Sequence, residues 1–336
     1  MSVMKTAAWL AAASLTLSAG PLAAETLQMQ TFLGANASTT KAFETMAAEL
    51  AAETGGEVTI VVLPGKAVVG ATETIDAINN GLLQGQYTAP TYFAGKDPAM
   101  AVLGDTLAAY PDSATRDRWF TEGGGLELAR QLYDKHGLYF IGPVYWPPEQ
   151  IPSVKPIRSV ADFEGLKMRA PGGMPSDLLT RAGASLVTMG VGESVNAMET
   201  GVLDATDLAN IGLNVALGMH NKAKNSTLAR HSMAVTEVSV DKEVWDSLSP
   251  EAQAAFEAAV AKMSAELQET LTAEDAAATK KATEELGVTI YEFGPEDSEA
   301  FRALLLEVWD DWSAKSPDAK AIVDSHKAFM KQEGLL

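Results

Sequence analysis

LQMQTFLGANASTTKAFETMAAELAAETGGEVTIVVLP, residues 27–64, changes texture twice. LQMQTFLGA (27–35) reads as a strand entering a loop. After it, Phe43, Met46 and Leu50 recur at helical spacing, and Gly55 supplies a stop. EVTIVVLP (57–64) is alternating and β-branched, which is a strand. Strand, helix and strand in immediate succession are the unit of α/β proteins, in which helices cover a sheet with parallel strands.

The same alternation continues outward from this stretch. ATETIDAINNGLLQGQYTAP (71–90) reads as helix, turn and strand, GLELARQLYDKHG (125–137) as a helix, and LYFIGPVY (138–145) as a strand. VADFEG (160–165) is a short helical turn, LKMRAP (166–171) a strand, PSDLLTRAGA (175–184) a helix and ASLVTM (184–189) a strand. VGESVNAMETGVLDATDL (191–208) closes the series with a helix and a strand. Between them YWPPEQIPSVKPIRS (145–159) holds four prolines and no period, as expected of a crossover between two domains. From Ser249 the texture is helical: Pro250 suits a first turn, Phe256, Val260, Met263, Leu267 and Leu271 form a stripe, and Gly287 is a stop. Unbroken, this helix runs about 37 residues, roughly 55 Å, enough to pass two domains. Residues 297–336 read as two more helices divided at Pro317. The apolar face of the first, Phe301, Leu304, Leu305, Val308, Trp309 and Trp312, covers either the same chain or a partner.

The N-terminus, MSVMKTAAWLAAASLTLSAGPLAAE, has Lys5, an apolar run from about Ala7 to Leu17 and small residues up to Ala24. It reads as a secretory signal peptide, residues 1–24, with cleavage before Glu25. The apolar run is shorter than the roughly 20 residues a spanning helix needs. With no cysteine in the chain, disulfides, thiolate nucleophiles and cysteine metal sites are excluded. The formal charge of −19 becomes −20 without Lys5, which disfavours nucleic acid and anionic membranes. An anionic ligand therefore has to meet a local positive site.

GLKMRAPGG (165–173) offers such a site: Arg169 ends a strand, and Gly172 and Gly173 let backbone approach a ligand. Its bland alternative is a solvated cation. Catalytic motifs are absent. His136, His220, His231 and His326 are far apart with no HExxH, there is no GxSxG or GxxxxGK, and GVGESV lacks the third glycine of a dinucleotide fingerprint. Asp204 and Asp207 in GVLDATDL carry the acid or cation-binding option; for Asp204 a turn or capping role is the simpler reading.

GKDPAM (95–100), GGGLELARQLY (123–133), SVADFEGLKMRAPG (159–172), GASLVTMGVGESVNAMETGVLDATD (183–207) and ALGMHNKAKN (216–225) occur in that order, followed by VDKEVWDSLSPEAQ (240–253). Together they resemble the solute-binding proteins of TRAP transporters, most of all the subgroup for 2-oxo acids and lactate. The resemblance implies an α/β, two-domain periplasmic binding protein fold with hinge crossovers and a long domain-spanning helix. Its first domain would be residues 25–148 with about 237–260, and its second 149–236 with about 285–316. Residues 249–286 would form the bridging helix and 317–336 a C-terminal helix. Arg169 then corresponds to the arginine that pairs with the ligand carboxylate.

The subgroup also implies a sodium or calcium ion held by an amide of the crossover, an acid after the DAT turn and the next backbone carbonyl. Here these are Glu149 or Gln150, Asp207, and Leu208 where tryptophan is usual. Tyr92 matches a pocket tyrosine; Trp146, Asn210 and Asn214 are candidates for the distal ligand, and Glu237 fits a position near the second crossover. The expected function is capture of a small organic carboxylate, a 2-oxo or 2-hydroxy monocarboxylate favoured, in the periplasm, and delivery to the membrane subunits of a TRAP transporter. A homodimer through the C-terminal helices is a further expectation. The alternatives are a sensor presenting the ligand to a membrane receptor, which neighbouring transporter genes would argue against, and a carboxylate-processing enzyme, which product formation would reveal.

Overall fold

The computed structural model describes residues 25–189 and 191–336; the expected signal peptide lies outside them. In chain order the strands are β1 (Glu25–Thr31), β2 (Val58–Leu63), β3 (Gly85–Thr88), β4 (Leu138–Tyr145), β5 (Ile151–Ser153), β6 (Lys167–Arg169), β7 (Ser185–Val187), β8 (Ala205–Thr206), β9 (Asn225–Leu228), β10 (Val235–Asp241) and β11 (Thr289–Glu292). They form two sheets, ordered β2-β1-β3-β10-β4 and β11-β9-β5-β8-β6-β7.

The sheets are mixed, which corrects the expectation of parallel strands. β1 runs parallel to β2 and β3, but β10 is antiparallel to β3 and β4. In the second sheet β6 runs parallel to β7 and β8, and β5 runs antiparallel to β8 and β9. The reason is connectivity. The chain changes sheet between β4 and β5 and again between β9 and β10, and each arriving strand enters its new sheet against the direction of its neighbours. The proline-rich crossover is therefore not free of structure: Ile151–Ser153 pair with Asn225–Thr227, a strand too short to show a period.

The third connection is the helix Pro250–Glu284, 35 residues and about 52 Å long. It starts on a Ser249 cap whose hydroxyl accepts from the Ala252 N–H, and Glu57 accepts from the Ser249 N–H and hydroxyl. Its first half packs Phe256, Val260, Met263 and Leu267 into the core of the first sheet with Leu27, Phe43, Val144 and Val238. Its last turn places Ala282 against Ile211 and Val288 beside the second sheet. The helix thus touches both halves, as its length requires.

The C-terminal apolar face closes on its own chain. Phe301, Leu305, Val308 and Trp309 of the helix Pro295–Ser313 are fully buried, as are Ile322, Val323 and Met330 of the helix Pro317–Gln332. His326 is stacked between Trp119 and Trp309 and bonded to the Tyr110 hydroxyl at 2.7 Å. Of the two readings of this stripe, cover for its own chain or contact with a partner, the structure shows the first. No helix among the described residues is long and apolar enough to cross a membrane.

Candidate functional site

Between the sheets lies a cavity of about 470 Å³. Its walls come from the segments that follow the C-terminal ends of strands: Phe32 after β1, Ala89, Thr91 and Tyr92 after β3, Arg169 and Pro171 to Pro175 at the end of β6, and Asp207 to Asn210 after β8. Trp146, Pro147 and Glu149 of the first crossover and Ser232, Ala234 and Thr236 of the second complete it. Strand ends are where side chains leave a packed sheet and face a crevice, so this position follows from topology.

Arg169 is 8 % exposed. Its Nε donates to the Met189 carbonyl at 3.0 Å, and its Nη1 to the Asp207 carbonyl at 2.5 Å. The pairing of β6 with β8 sets up the second contact, since Arg169 lies opposite Thr206 and its own carbonyl accepts from the Asp207 N–H. Two backbone carbonyls thus hold the guanidinium while leaving its remaining donors for the cavity. Behind it Gly172 (φ +96°) and Gly173 (φ +66°) occupy the left-handed region, where any other residue would be strained, and start the helix Gly173–Arg181.

Asp207 is fully buried. Its Oδ1 accepts from His231 Nε2 at 2.7 Å, and its Oδ2 has no hydrogen-bond partner. Glu149, Asp207 and His231 bring one ligand atom each within 4.8 Å of one another. Burial, reinforced by the neighbouring Asp207 and Asp105, pushes the Glu149 carboxyl well above its ordinary range. Burial acts the same way on Asp207, but His231, Glu149 and Arg169 together outweigh it and hold its carboxyl below the usual value. Asp105 is also raised by burial; it accepts from the Ser232 hydroxyl at 2.6 Å and from the Leu107 and Met233 N–H groups.

Of the candidates read from the sequence, Arg169, Tyr92, Trp146, Glu149, Asp207, Leu208 and Asn210 all line this cavity. Tyr92 and Trp146 flank Phe32, with ring centroids 6.3 and 5.9 Å from it. Asn210 is already engaged: its Nδ2 donates to Asp275 Oδ1 at 2.7 Å and its Oδ1 caps the helix Ile211–Ala216. Gln150 stands apart, its Oε1 accepting from Ser226 Oγ at 2.7 Å, away from the cavity wall. Asn214 is buried and donates to the Ala209 carbonyl. Glu237 lies inside the first sheet, bonded by Gln86 Nε2 at 2.7 Å; its neighbour Thr236 faces the cavity. The Gln150 N–H donates to the Ala209 carbonyl at 2.9 Å, so its backbone lies beside the Asp207–Leu208 segment while its side chain is bonded to Ser226 and does not line the cavity. Asp105, His231 and Phe32 were missed. Asp105 follows a short helix and His231 precedes β10, with no motif around either.

Two sheets joined by three connections among the described residues, with a buried arginine at the cleft, define a binding protein of two α/β halves. The chain belongs to the bacterial extracellular solute-binding proteins, family 7, whose model matches residues 29–316. It is 25% identical over 309 residues, 90% of this chain and 81% of the relative, to a monocarboxylate 2-oxoacid-binding periplasmic protein of Nostoc. Among solved structures, a TRAP periplasmic solute-binding protein from Rhodobacter sphaeroides in an apo open form is similar at a TM-score of 0.84 and 30% identity, over 93% of this chain and 99% of that one. A TRAP solute-binding protein from Bordetella bronchiseptica with calcium and picolinate in its site is similar at a TM-score of 0.76 and 26% identity, over 92% of each chain.

Proposed function

We propose that this protein captures a small organic carboxylate outside the cytoplasmic membrane and delivers it to the membrane subunits of a TRAP transporter. The observation that carries this reading is Arg169: a nearly buried guanidinium, oriented by two carbonyls, at a cleft between two sheets. A fork of donors held in this way pairs with a carboxylate directionally, and water exclusion on closure strengthens the pair. The family and the named ligands of the relatives support the same class of solute.

The halves expected at residues 25–148 with about 237–260, and 149–236 with about 285–316, would close by flexing the two crossovers, while ligand contacts to both favour the closed state. Were a sodium or calcium ion to accompany the ligand, Asp207 Oδ2 and Glu149 would hold it, and it would neutralise the ligand oxygens against these acids. Export to the periplasm fits a family of extracellular binding proteins. A binding role without conversion fits the family, which is one of solute-binding proteins.

The test is isothermal titration of the mature chain with organic carboxylates, beside Arg169→Ala and with recovery of the ligand. Tight binding that the variant loses, with the ligand recovered unchanged, is the expected result. Binding indifferent to Arg169, or conversion of the ligand, would overturn the reading.

A further inference from the structure

Three acids face one arginine in the cavity wall, and burial favours the protonated forms of two of them, Asp105 and Glu149. Asp105, Glu149 and Asp207 line the cavity, and Arg169 is the lining Lys or Arg residue among the described ones. Asp105 is satisfied by three donors. Asp207 spends Oδ1 on His231 and keeps a buried Oδ2 without a partner, with Glu149 beside it. A buried carboxylate oxygen without a donor is costly. A ligand carboxylate arriving on Arg169 enters the same enclosed space, and a ligand cation facing Asp207 and Glu149 takes the place of the proton that burial favours on Glu149.

A hard cation wants six to eight oxygens, and the Gln150 side chain is not among the residues that line the cavity. A ligand ammonium needs only the Asp207 carboxylate and the Glu149 carboxyl, whose proton it displaces. The spacing is short, because Arg169 Nη1 donates to the carbonyl of Asp207, the same residue whose side chain bears the free oxygen. Phe32, Tyr92 and Trp146 supply an aromatic wall that suits an apolar ligand body, and about 470 Å³ leaves room for one.

Resting on the reading that a carboxylate binds Arg169, we infer that the ligand is a zwitterion of the 2-amino acid class. Its carboxylate pairs with Arg169, and its protonated nitrogen donates to Asp207 Oδ2 and Glu149. Its own nitrogen takes the place of a bridging metal ion.

The experiment titrates alanine, valine, leucine, phenylalanine and glutamate, each beside the 2-oxo acid of the same skeleton, into the refolded mature protein. Every titration is run in chelator-treated, sodium-free buffer and again with calcium or sodium, on the parent chain, Glu149→Gln and Arg169→Ala; circular dichroism checks that each variant folds. At least one amino acid is expected to bind without metal, tenfold or more tighter than its 2-oxo partner under any condition. Glu149→Gln is expected to weaken it at least tenfold more than it weakens the 2-oxo acid in metal-free buffer. Binding of a 2-oxo acid equal to or tighter than its amino acid, or no amino acid binding at all beside a 2-oxo acid that binds, overturns the inference and leaves the carboxylate reading standing. Binding by neither series, or binding that survives Arg169→Ala, overturns both.

Discussion

Arg169 separates two effects that a single variant would confuse. Removing it takes a charge-assisted pair from the ligand and also leaves the carbonyls of Met189 and Asp207 without their donor. Arg169→Ala is therefore expected to weaken binding about 100-fold or more, and to lower stability by about 1–3 kcal/mol, read by titration and urea unfolding respectively. Arg169→Lys keeps the charge but not the planar fork, so affinity is expected to fall even where unfolding shows the chain intact. An unchanged affinity in the lysine variant would mean that the site senses charge and not bidentate geometry. The strand end, proline and glycines beside the arginine drew notice to it but fitted a solvated cation as well; its pairing with a carboxylate came from the resemblance to TRAP solute-binding proteins. His231 was not legible, since 24 residues separate it from the Asp207 oxygen it serves.

The short helix Ile211–Ala216 is tied to the long helix by one acid. Asp275 Oδ1 accepts from Asn210 Nδ2 at 2.7 Å and from the Gly212 N–H at 2.9 Å. Burial raises its carboxyl to about 6. Because Asn210 and Leu208 belong to the cavity wall, this contact positions the wall from outside the cavity. Asp275→Ala is expected to cost about 1–3 kcal/mol, seen as a lower thermal midpoint, and to weaken ligand binding although Asp275 does not line the cavity. Asp275→Asn keeps an oxygen acceptor and is expected to recover most of both. Loss of stability with unaltered affinity would reduce the tie to plain scaffolding. The long helix was readable from its stripe of apolar residues and its Ser-Pro start, whereas Ile211–Ala216 is under two turns long and gives periodicity nothing to act on.

Glu237 acts on the stability of the fold. It is fully buried between Gln86 and the hydroxyls of Ser239 and Tyr133, and burial pushes its carboxyl up to about 8. Below the unfolded value of about 4.5 both states hold the proton and this group has no effect on the balance. Between about 4.5 and 8 the unfolded chain ionises while the folded one keeps its proton, so stability falls as pH rises; above 8 the loss levels off. The loss is on the order of a few kcal/mol. Glu237→Gln is expected to flatten this part of the pH profile in urea unfolding and to be the more stable chain at pH 8. Parallel profiles for the two proteins would show that Glu237 ionises normally in the fold.

Local pattern was enough for the α/β alternation, the long helix and the crossover, because each depends on residues adjacent in the chain or one helical turn apart. The mixed sheets were decided in three dimensions, since strand direction depends on which sheet the chain enters after a crossing. So were the turn of Gln150 toward Ser226, the meeting of Glu149, Asp207 and His231, and the burial of the C-terminal stripe on its own chain. Each of these is a contact between distant segments, and side-chain direction, burial and charge balance are properties of the packed chain that no local period encodes.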